Sequence, residues 1–312
     1  MLYNGFIVTS DQYLQPCYRI SPFKTDYLVK NNEVINTGCD ELSVNRYLEY
    51  KSYVFTSSGR EAINIALQQY RLNADDIITI LTTSGNHYIS SCVTKEIEKY
   101  CKWSRKIEPM TKVIFVNHEF GFAYENLSNL KKYNIPIIED CAHSFASQNA
   151  EESVGKVGDY VIYSLPKFFP VQFGGILRIN NNNNINIKSK ISNDEIQYLK
   201  KIILFHLPYK DEIIKKRKNN YSYLSDLIKE RGFGVRFKLN ENCCPGVFIF
   251  KSQGIDLSKL KEFMQHHGVE CSVFYGEESF FLPVNQSLGK EDLDYFVALI
   301  DVFISELKGA KN

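Results

Sequence analysis

An aspartate closes the apolar run IPIIED (135–140), and 27 positions later a lysine stands in GDYVIYSLPKFF (158–169). A carboxylate such as Asp140, ending a buried strand, can keep the nitrogen of a pyridine ring protonated. A lone amine such as Lys167, just past the next strand, can form a Schiff base with a carbonyl. Together they suit the chemistry of pyridoxal 5'-phosphate (PLP). Buried and unpaired, Asp140 would cost several kcal/mol, so it must be hydrogen-bonded or charge-paired, and a protonated pyridinium is a fitting partner. For an isolated aspartate, capping of the following helix would be the commoner role. Lys167 lies in YSLPKFFPVQFGGI, where apolar and small neighbours offer an ammonium little solvation and favour the free amine that attacks carbonyls. A lysine snorkelling from a strand end is the competing reading. His143, three residues after Asp140 in EDCAHS, is placed to hydrogen-bond the phenolic oxygen of such a cofactor.

That chemistry also needs a phosphate cradle and a surface for the ring. The segment YVFTSSGREAINIAL (53–67) reads as strand, small-residue turn and helix start, where free N–H groups and the helix dipole attract phosphate. Ser57, Ser58 and Gly59 allow close approach, and Arg60 can add charge; a serine N-cap alone would be only structural. Neither G-x-x-x-x-G-K-[ST] nor G-x-G-x-x-G occurs in the chain. Ser164 can donate to the phosphate, and Gly174 and Gly175 give the backbone close access. Tyr88, following IITIL and the turn TTSGNH at the start of a second helix, can stack on a ring. His87 is the alternative, and with 20 tyrosines in the chain packing is the ordinary role of such a side chain.

The elements that must position these residues are short apolar runs alternating with helix-period segments. Strands are predicted at 52–55, 77–81, 112–116, 135–138, 160–164 and 175–179, with helices over 59–70, 87–100 and 125–133 between the first four. Strands apolar along their whole length and joined by helices imply an α/β, mostly parallel sheet covered on both faces, with ligands at the carboxyl ends of its strands. The asparagine run 180–184 reads as a solvated loop. Residues 193–230 read as long helix broken near Pro208. A smaller α+β region follows, with strands at 247–252 and 269–275 and helices at 256–267 and 290–307. The expected division is a sheet domain over 1–190, with an irregular N-terminal segment, and a second unit over 191–312.

Composition narrows the function classes. Thirty-seven basic residues against 36 acidic ones, with neither sign in blocks, give nucleic-acid binding no support. No apolar stretch approaches the ~20 residues of a membrane span. The N-terminus MLYNGFIVTSDQYL lacks a signal-peptide layout, so the expected location is cytoplasmic. Eight scattered cysteines show no C-x-x-C pair and no histidine at zinc-ligand spacing, so reduced core thiols and no metal are expected. The vicinal pair Cys243–Cys244 could form only a strained disulfide.

The succession TSSGREA, IIEDCAHS and VGDYVIYSLPK followed by FGG resembles the DegT-type family of PLP-dependent aminotransferases. TGCDELSVNRYLEYK (37–51), NHEFG (117–121), VECSVFY (269–275) and SFFLPVNQSLGKEDLDYF (279–296) extend the match over most of the chain. The resemblance implies PLP fold type I: a mostly parallel seven-stranded sheet flanked by helices, with a smaller C-terminal α+β domain. It implies Lys167 as the Schiff-base lysine, Asp140 as the pyridine partner, His143 beside the cofactor oxygen and Tyr88 stacked on the ring. Gly59, Arg60 and Glu61 match the helix-start positions that hold the phosphate, with Arg60 where members carry a hydroxyl residue. Ser164 lies closer to Lys167 than in most members. The segment that usually reaches the partner subunit is cut to the asparagine run and 187–192. The implied reaction is ping-pong transfer of an amino group from glutamate to a keto-sugar, nucleotide-linked, in cell-surface polysaccharide or amino-sugar biosynthesis, by a homodimer. Elimination on a similar sugar and a non-catalytic structural role are the alternatives; members that eliminate replace the lysine with histidine.

Overall fold

The computed structural model describes residues 17–36, 52–181, 188–252 and 254–309. The 37–51 segment and most of the asparagine run lie outside them. The apolar runs form one sheet of seven strands: β1 (Tyr53–Thr56), β2 (Ile77–Thr82), β3 (Lys102–Ser104), β4 (Thr111–Asn117), β5 (Ile137–Asp140), β6 (Tyr160–Ser164) and β7 (Gly175–Ile179), in the order β1-β7-β6-β5-β4-β2-β3. Strands β3, β2, β4, β5 and β6 run parallel, and β7 is antiparallel to both β6 and β1.

Alternating side chains face opposite layers, so each strand feeds two cores. On one face Ile78, Ile80, Phe115, Ile138 and Ile162 pack with Ala62, Ile63, Ala66 and Leu67 of α2 (Gly59–Gln68) and with Val93 and Ile97 of α3 (Ser91–Ile97). Each fully buried Ile or Leu there contributes about 1.5–3 kcal/mol. On the other face Phe55, Val161, Tyr163 and Ile176 pack with Val34 of α1 (Tyr27–Asn36) and with Leu199, Ile202 and Ile203 of α4 (Asn193–His206). Because α4 buries itself on the large sheet, that core continues past residue 190.

A Ser192–Glu195 capping box starts α4, and a 3-10 turn over Leu207–Tyr209, carrying Pro208, separates it from α5 (Lys210–Glu230). The long helix therefore breaks where proline cannot continue the hydrogen-bond ladder. Beyond α5, strands β8 (Gly234–Val235), β9 (Val247–Lys251), β10 (Ser272–Phe274) and β11 (Ser279–Pro283) form an antiparallel sheet in the order β10-β11-β9-β8. Its core includes Phe248, Phe250 and Phe280 with Leu224 of α5, Leu260 and Met264 of α6 (Leu257–His266), and Phe296 and Ile300 of α7 (Lys290–Gly309).

Three strands stand outside the predicted set: β3 and β8, which are short and at sheet edges, and β11, which lies between β10 and β9. The predicted helix over 125–133 is instead a 3-10 turn at Ser128–Tyr133, closed by Asn134 in the left-handed region.

The two layers join beside Gly121, whose φ is +92° and whose added Cβ would lie 2.1 Å from the Cys244 carbonyl oxygen. Only glycine fits this crossing. Gly121→Ala is expected to destabilise the protein by roughly 2–4 kcal/mol, read as a lowered denaturation midpoint with an unchanged slope.

Candidate active site

The turn after β1 aims the start of α2 at the carboxyl edge of the sheet. Ser58 caps the helix, its hydroxyl accepting from the Glu61 N–H at 3.2 Å. The leading N–H groups of Gly59 and Arg60 find no acceptor among the described residues, the condition for an anion site. Strand β7 closes tightly beneath this turn: a Cβ on Gly175 would lie 2.8 Å from the Gly59 nitrogen. Arg60 is exposed and donates through Nη2 to Cys92 Sγ at 2.9 Å. The Glu61 carboxylate instead accepts from Ser57 N–H, Ser57 Oγ, Ser189 Oγ and the Lys190 N–H, tying 188–190 to the helix start.

Parallel pairing of β4 with β5 sets Asn117 beside Asp140. Asp140 Oδ2 accepts from Asn117 Nδ2 at 3.1 Å and Oδ1 from the Ala142 N–H at 3.0 Å. Burial pushes its carboxyl up to about 6, against the smaller opposing pull of the Ala142 N–H and of His118. The neighbouring Glu139 faces the other way. It accepts from the Gly155, Val157 and Gly158 N–H groups and from His118 Nε2, whose Nδ1 in turn accepts from the Tyr124 N–H. Burial works to raise Glu139, but His118 and these N–H groups outweigh it and hold the carboxyl below its ordinary value. His118, Glu139 and Cys141 lie close enough to resemble a metal cluster, yet the oxygens of Glu139 are already committed to four hydrogen bonds within the fold, and burial holds the Cys141 thiol protonated.

Lys167 ends the 3-10 turn Leu165–Lys167 that follows β6. It is half-buried, and among the described residues no carboxylate pairs with it. The buried Nδ1 of His143 has no hydrogen-bond partner. Burial, with Lys167 and Arg217 as nearby cations, holds His143 well below the ordinary imidazole value, so it is neutral at pH 7. Its ring packs 5.3 Å from Phe120, a non-glycine residue held at φ +53° in the left-handed region. Such strain, about 1–3 kcal/mol, collects at functional sites.

One cavity of about 610 Å³ gathers these groups. Gly59, Arg60, Tyr88, Asp140, His143, Ser164 and Lys167 all line it, with Asn117 and Glu119. Glu61 is absent from its wall. Tyr88 is 38% exposed and lies three residues before α3, because Ser90 caps that helix; His87 is exposed and does not line the cavity. The small sheet supplies the facing wall through Ser272, Phe274 and Phe281. Asn86 Nδ2 donates to the Tyr275 carbonyl at 2.6 Å, and the Tyr88 and Tyr275 rings lie 5.3 Å apart, which fixes that wall to the Tyr88 loop. Sequence reading did not single out Asn117, Glu119 or Phe120 individually, although NHEFG contains all three. Register with Asp140 across the β4–β5 ladder is the signal that would have found Asn117.

The family model described as "Putative PLP-dependent aminotransferase" matches residues 17–254. The chain belongs to this aminotransferase family. Of the curated relatives, the dTDP-3-amino-3,6-dideoxy-alpha-D-galactopyranose transaminase of Aneurinibacillus thermoaerophilus is 30% identical over 134 residues, covering 38% of this chain and 37% of the relative. The match thus spans little more than a third of that relative's length. Among solved structures, the aminotransferase TlmJ from Streptoalloteichus hindustanus superposes with a TM-score of 0.71 at 15% identity, covering 91% of this chain and 97% of the other. A DegT DnrJ EryC1 StrS aminotransferase from Brucella abortus gives 0.68 at 13% identity, covering 89% and 96%. At these identities the structures establish a shared fold.

The family's cofactor, PLP, is tested by what the cavity leaves unsatisfied. An uncapped pair of N–H groups suits its phosphate. A buried carboxylate without a cation suits its ring nitrogen, an orphaned imidazole nitrogen marks a polar group awaiting a partner, and an unpaired lysine suits its aldehyde. The residues present fit the group. Among the described residues no helix is long and apolar enough to cross a membrane.

Proposed function

We propose that this chain is an aminotransferase that moves an amino group from glutamate onto a keto-sugar, nucleotide-linked as in the name of the curated relative. The observation that carries the reading is a single cavity lined by a strand-end carboxylate, a lysine that no carboxylate among the described residues pairs with, and a helix start whose Ser58 cap leaves the Gly59 and Arg60 N–H groups free. When bound, PLP supplies an electron-accepting ring that stabilises negative charge at a carbon bearing the amino group. Asp140 holds the proton on the ring nitrogen, the form that accepts that charge. Lys167 would hold the aldehyde carbon through Nζ, and the same Nζ, when free, would carry a proton as general base and acid. Neutral His143 orients the phenolic oxygen, and Tyr88 supports the ring face. The Gly59 and Arg60 N–H groups, the Arg60 guanidinium and the Ser164 hydroxyl hold the phosphate, and Glu61 serves that cradle by bracing its turn. Phe120, Phe274 and Phe281 exclude water.

A homodimer acting in the cytoplasm, in polysaccharide or amino-sugar synthesis, belongs to the same reading. Exposed Leu28 and Val29 on α1 and Phe205 and Tyr209 around the end of α4, elements that pack together, supply apolar surface for a second copy. The unit boundary we adopt is 190/191, with α4 docked back on the large sheet.

Purified protein incubated with PLP should gain a visible absorption band. Glutamate should bleach it with release of one equivalent of 2-oxoglutarate. Absence of the band sinks the cofactor assignment, and a band that glutamate leaves unchanged sinks the donor. Arg60→Ala should weaken PLP binding by about tenfold, the worth of one exposed charge-assisted contact, measured by equilibrium titration at low salt.

A further inference from the structure

The bulkiest fully buried side chain in the described protein is a cation. Arg217, in the middle of α5, is 1% exposed, and among the described residues no carboxylate pairs with it. Its partners are neutral. Nη2 donates to the Lys167 carbonyl at 2.9 Å, Nε donates to Gln286 Oε1 at 2.8 Å, and the guanidinium lies 5.1 Å over the Phe168 ring. Gln286 Nε2 donates in turn to the Phe168 carbonyl at 2.8 Å. Two consecutive carbonyls, those of Lys167 and Phe168, are therefore held by two side chains that also bond each other.

An apolar side chain of similar volume would fill this space without desolvating a charge. What arginine adds is a rigid fork with donors in two directions. The backbone it grips needs such a hold. Lys167 ends a three-residue turn rather than a regular helix or strand, and Phe168 leaves it at φ −123°, ψ −43°. Otherwise the described main-chain bonds nearest Lys167 are those from Phe168 and Phe169 N–H to the Leu165 carbonyl, one turn behind.

We infer that Arg217, seconded by Gln286, is a positioning residue that fixes the main chain from which Lys167 reaches the cofactor. It does not line the cavity and touches no reacting atom. The inference rests on the cofactor reading above. Misplacement of a reacting group by about 1 Å slows a step by on the order of 10²-fold.

The test separates capture by Lys167 from occupancy of the site. In capture, Lys167 Nζ bonds the aldehyde carbon of PLP, the aldehyde oxygen leaves as water, and borohydride then fixes the bond for peptide mass analysis. Pyridoxine 5'-phosphate has no aldehyde and reports occupancy alone. Arg217→Met should slow capture by roughly 10–100-fold while changing pyridoxine 5'-phosphate affinity by less than about threefold. Gln286→Ala, a milder change should the first variant fold poorly, should shift the same rate in the same direction, and Arg217→Lys should restore part of it. Capture at the unaltered rate in both the methionine and alanine variants overturns the inference, as does parallel loss of both probes, which would mark a purely structural role. An unaltered chain that takes up neither probe overturns the cofactor reading itself, and this inference with it.

Discussion

Lys167→Ala is expected to abolish covalent retention of PLP and to slow the glutamate half-reaction by at least about 10³-fold, with the folded protein intact. The size follows from two separate losses. Without the amine no covalent bond holds the aldehyde carbon, and without Nζ the proton between donor carbon and cofactor carbon must travel through water. Removing a positioned acid or base alone costs about 10²–10⁴-fold. Lys167 is the one lysine among the described residues that line the cavity. His143 is held neutral but is assigned to the phenolic oxygen, Glu119 accepts from the Ser84 N–H, and Arg60 has no proton to exchange near pH 7. Stability should change little, because Lys167 is half-buried and no carboxylate among the described residues pairs with it. Stopped-flow absorbance on mixing with glutamate, alongside a thermal melt, reads both quantities. Loss of less than tenfold would remove Lys167 from the chemistry, and a collapsed melt would make the rate uninformative.

How much of this site was legible in the sequence depends on which force placed each residue. Asp140 and Lys167 follow strongly apolar runs, and burial of β5 and β6 fixes their ends within a few residues, so the chain itself announces them. The helix start at Gly59 is equally local: small residues, a serine cap and an apolar stripe at Ala62, Ile63, Ala66 and Leu67. What stays hidden is set by partners far along the chain. Asn117 matters because strand register brings it to Asp140, 23 positions on. Phe274 and Phe281 reach the cavity because the small sheet docks through Gly121 and Asn86, and no periodicity encodes that docking. Arg217 sits among other cations in KKRKNN, where nothing local marks it for burial, and only tertiary packing buries it. Glu61 shows the opposite case: it stands at the motif position, yet the carboxylate turns to Ser57, Ser189 and Lys190 rather than into the cavity.

Asp140→Asn should divide the two tasks of the fold, stabilising the cofactor-free chain while disabling its chemistry. With its folded-state carboxyl raised from 3.8 to about 6, the native protein binds that proton more tightly than the unfolded chain does. Stability from this group is therefore full below about pH 4 and falls as pH rises towards 6; above that the buried charge is a standing penalty of roughly 2–3 kcal/mol. Asparagine removes the charge. Its single side-chain oxygen can accept only one of the two hydrogen bonds that Asn117 and Ala142 donate, which returns about 1 kcal/mol of the gain. The cofactor-free variant should thus be about 1–2 kcal/mol more stable than the parent at pH 7 and no more stable at pH 4, measured by urea denaturation at both values. With PLP the order reverses, since a protonated ring nitrogen is the cation that the carboxylate lacks and an amide cannot hold that proton. The glutamate half-reaction should slow by roughly 10²–10⁴-fold. Equal stability differences at the two pH values would show that Asp140 is not desolvated as its surroundings require, and full activity in the variant would detach it from the ring nitrogen.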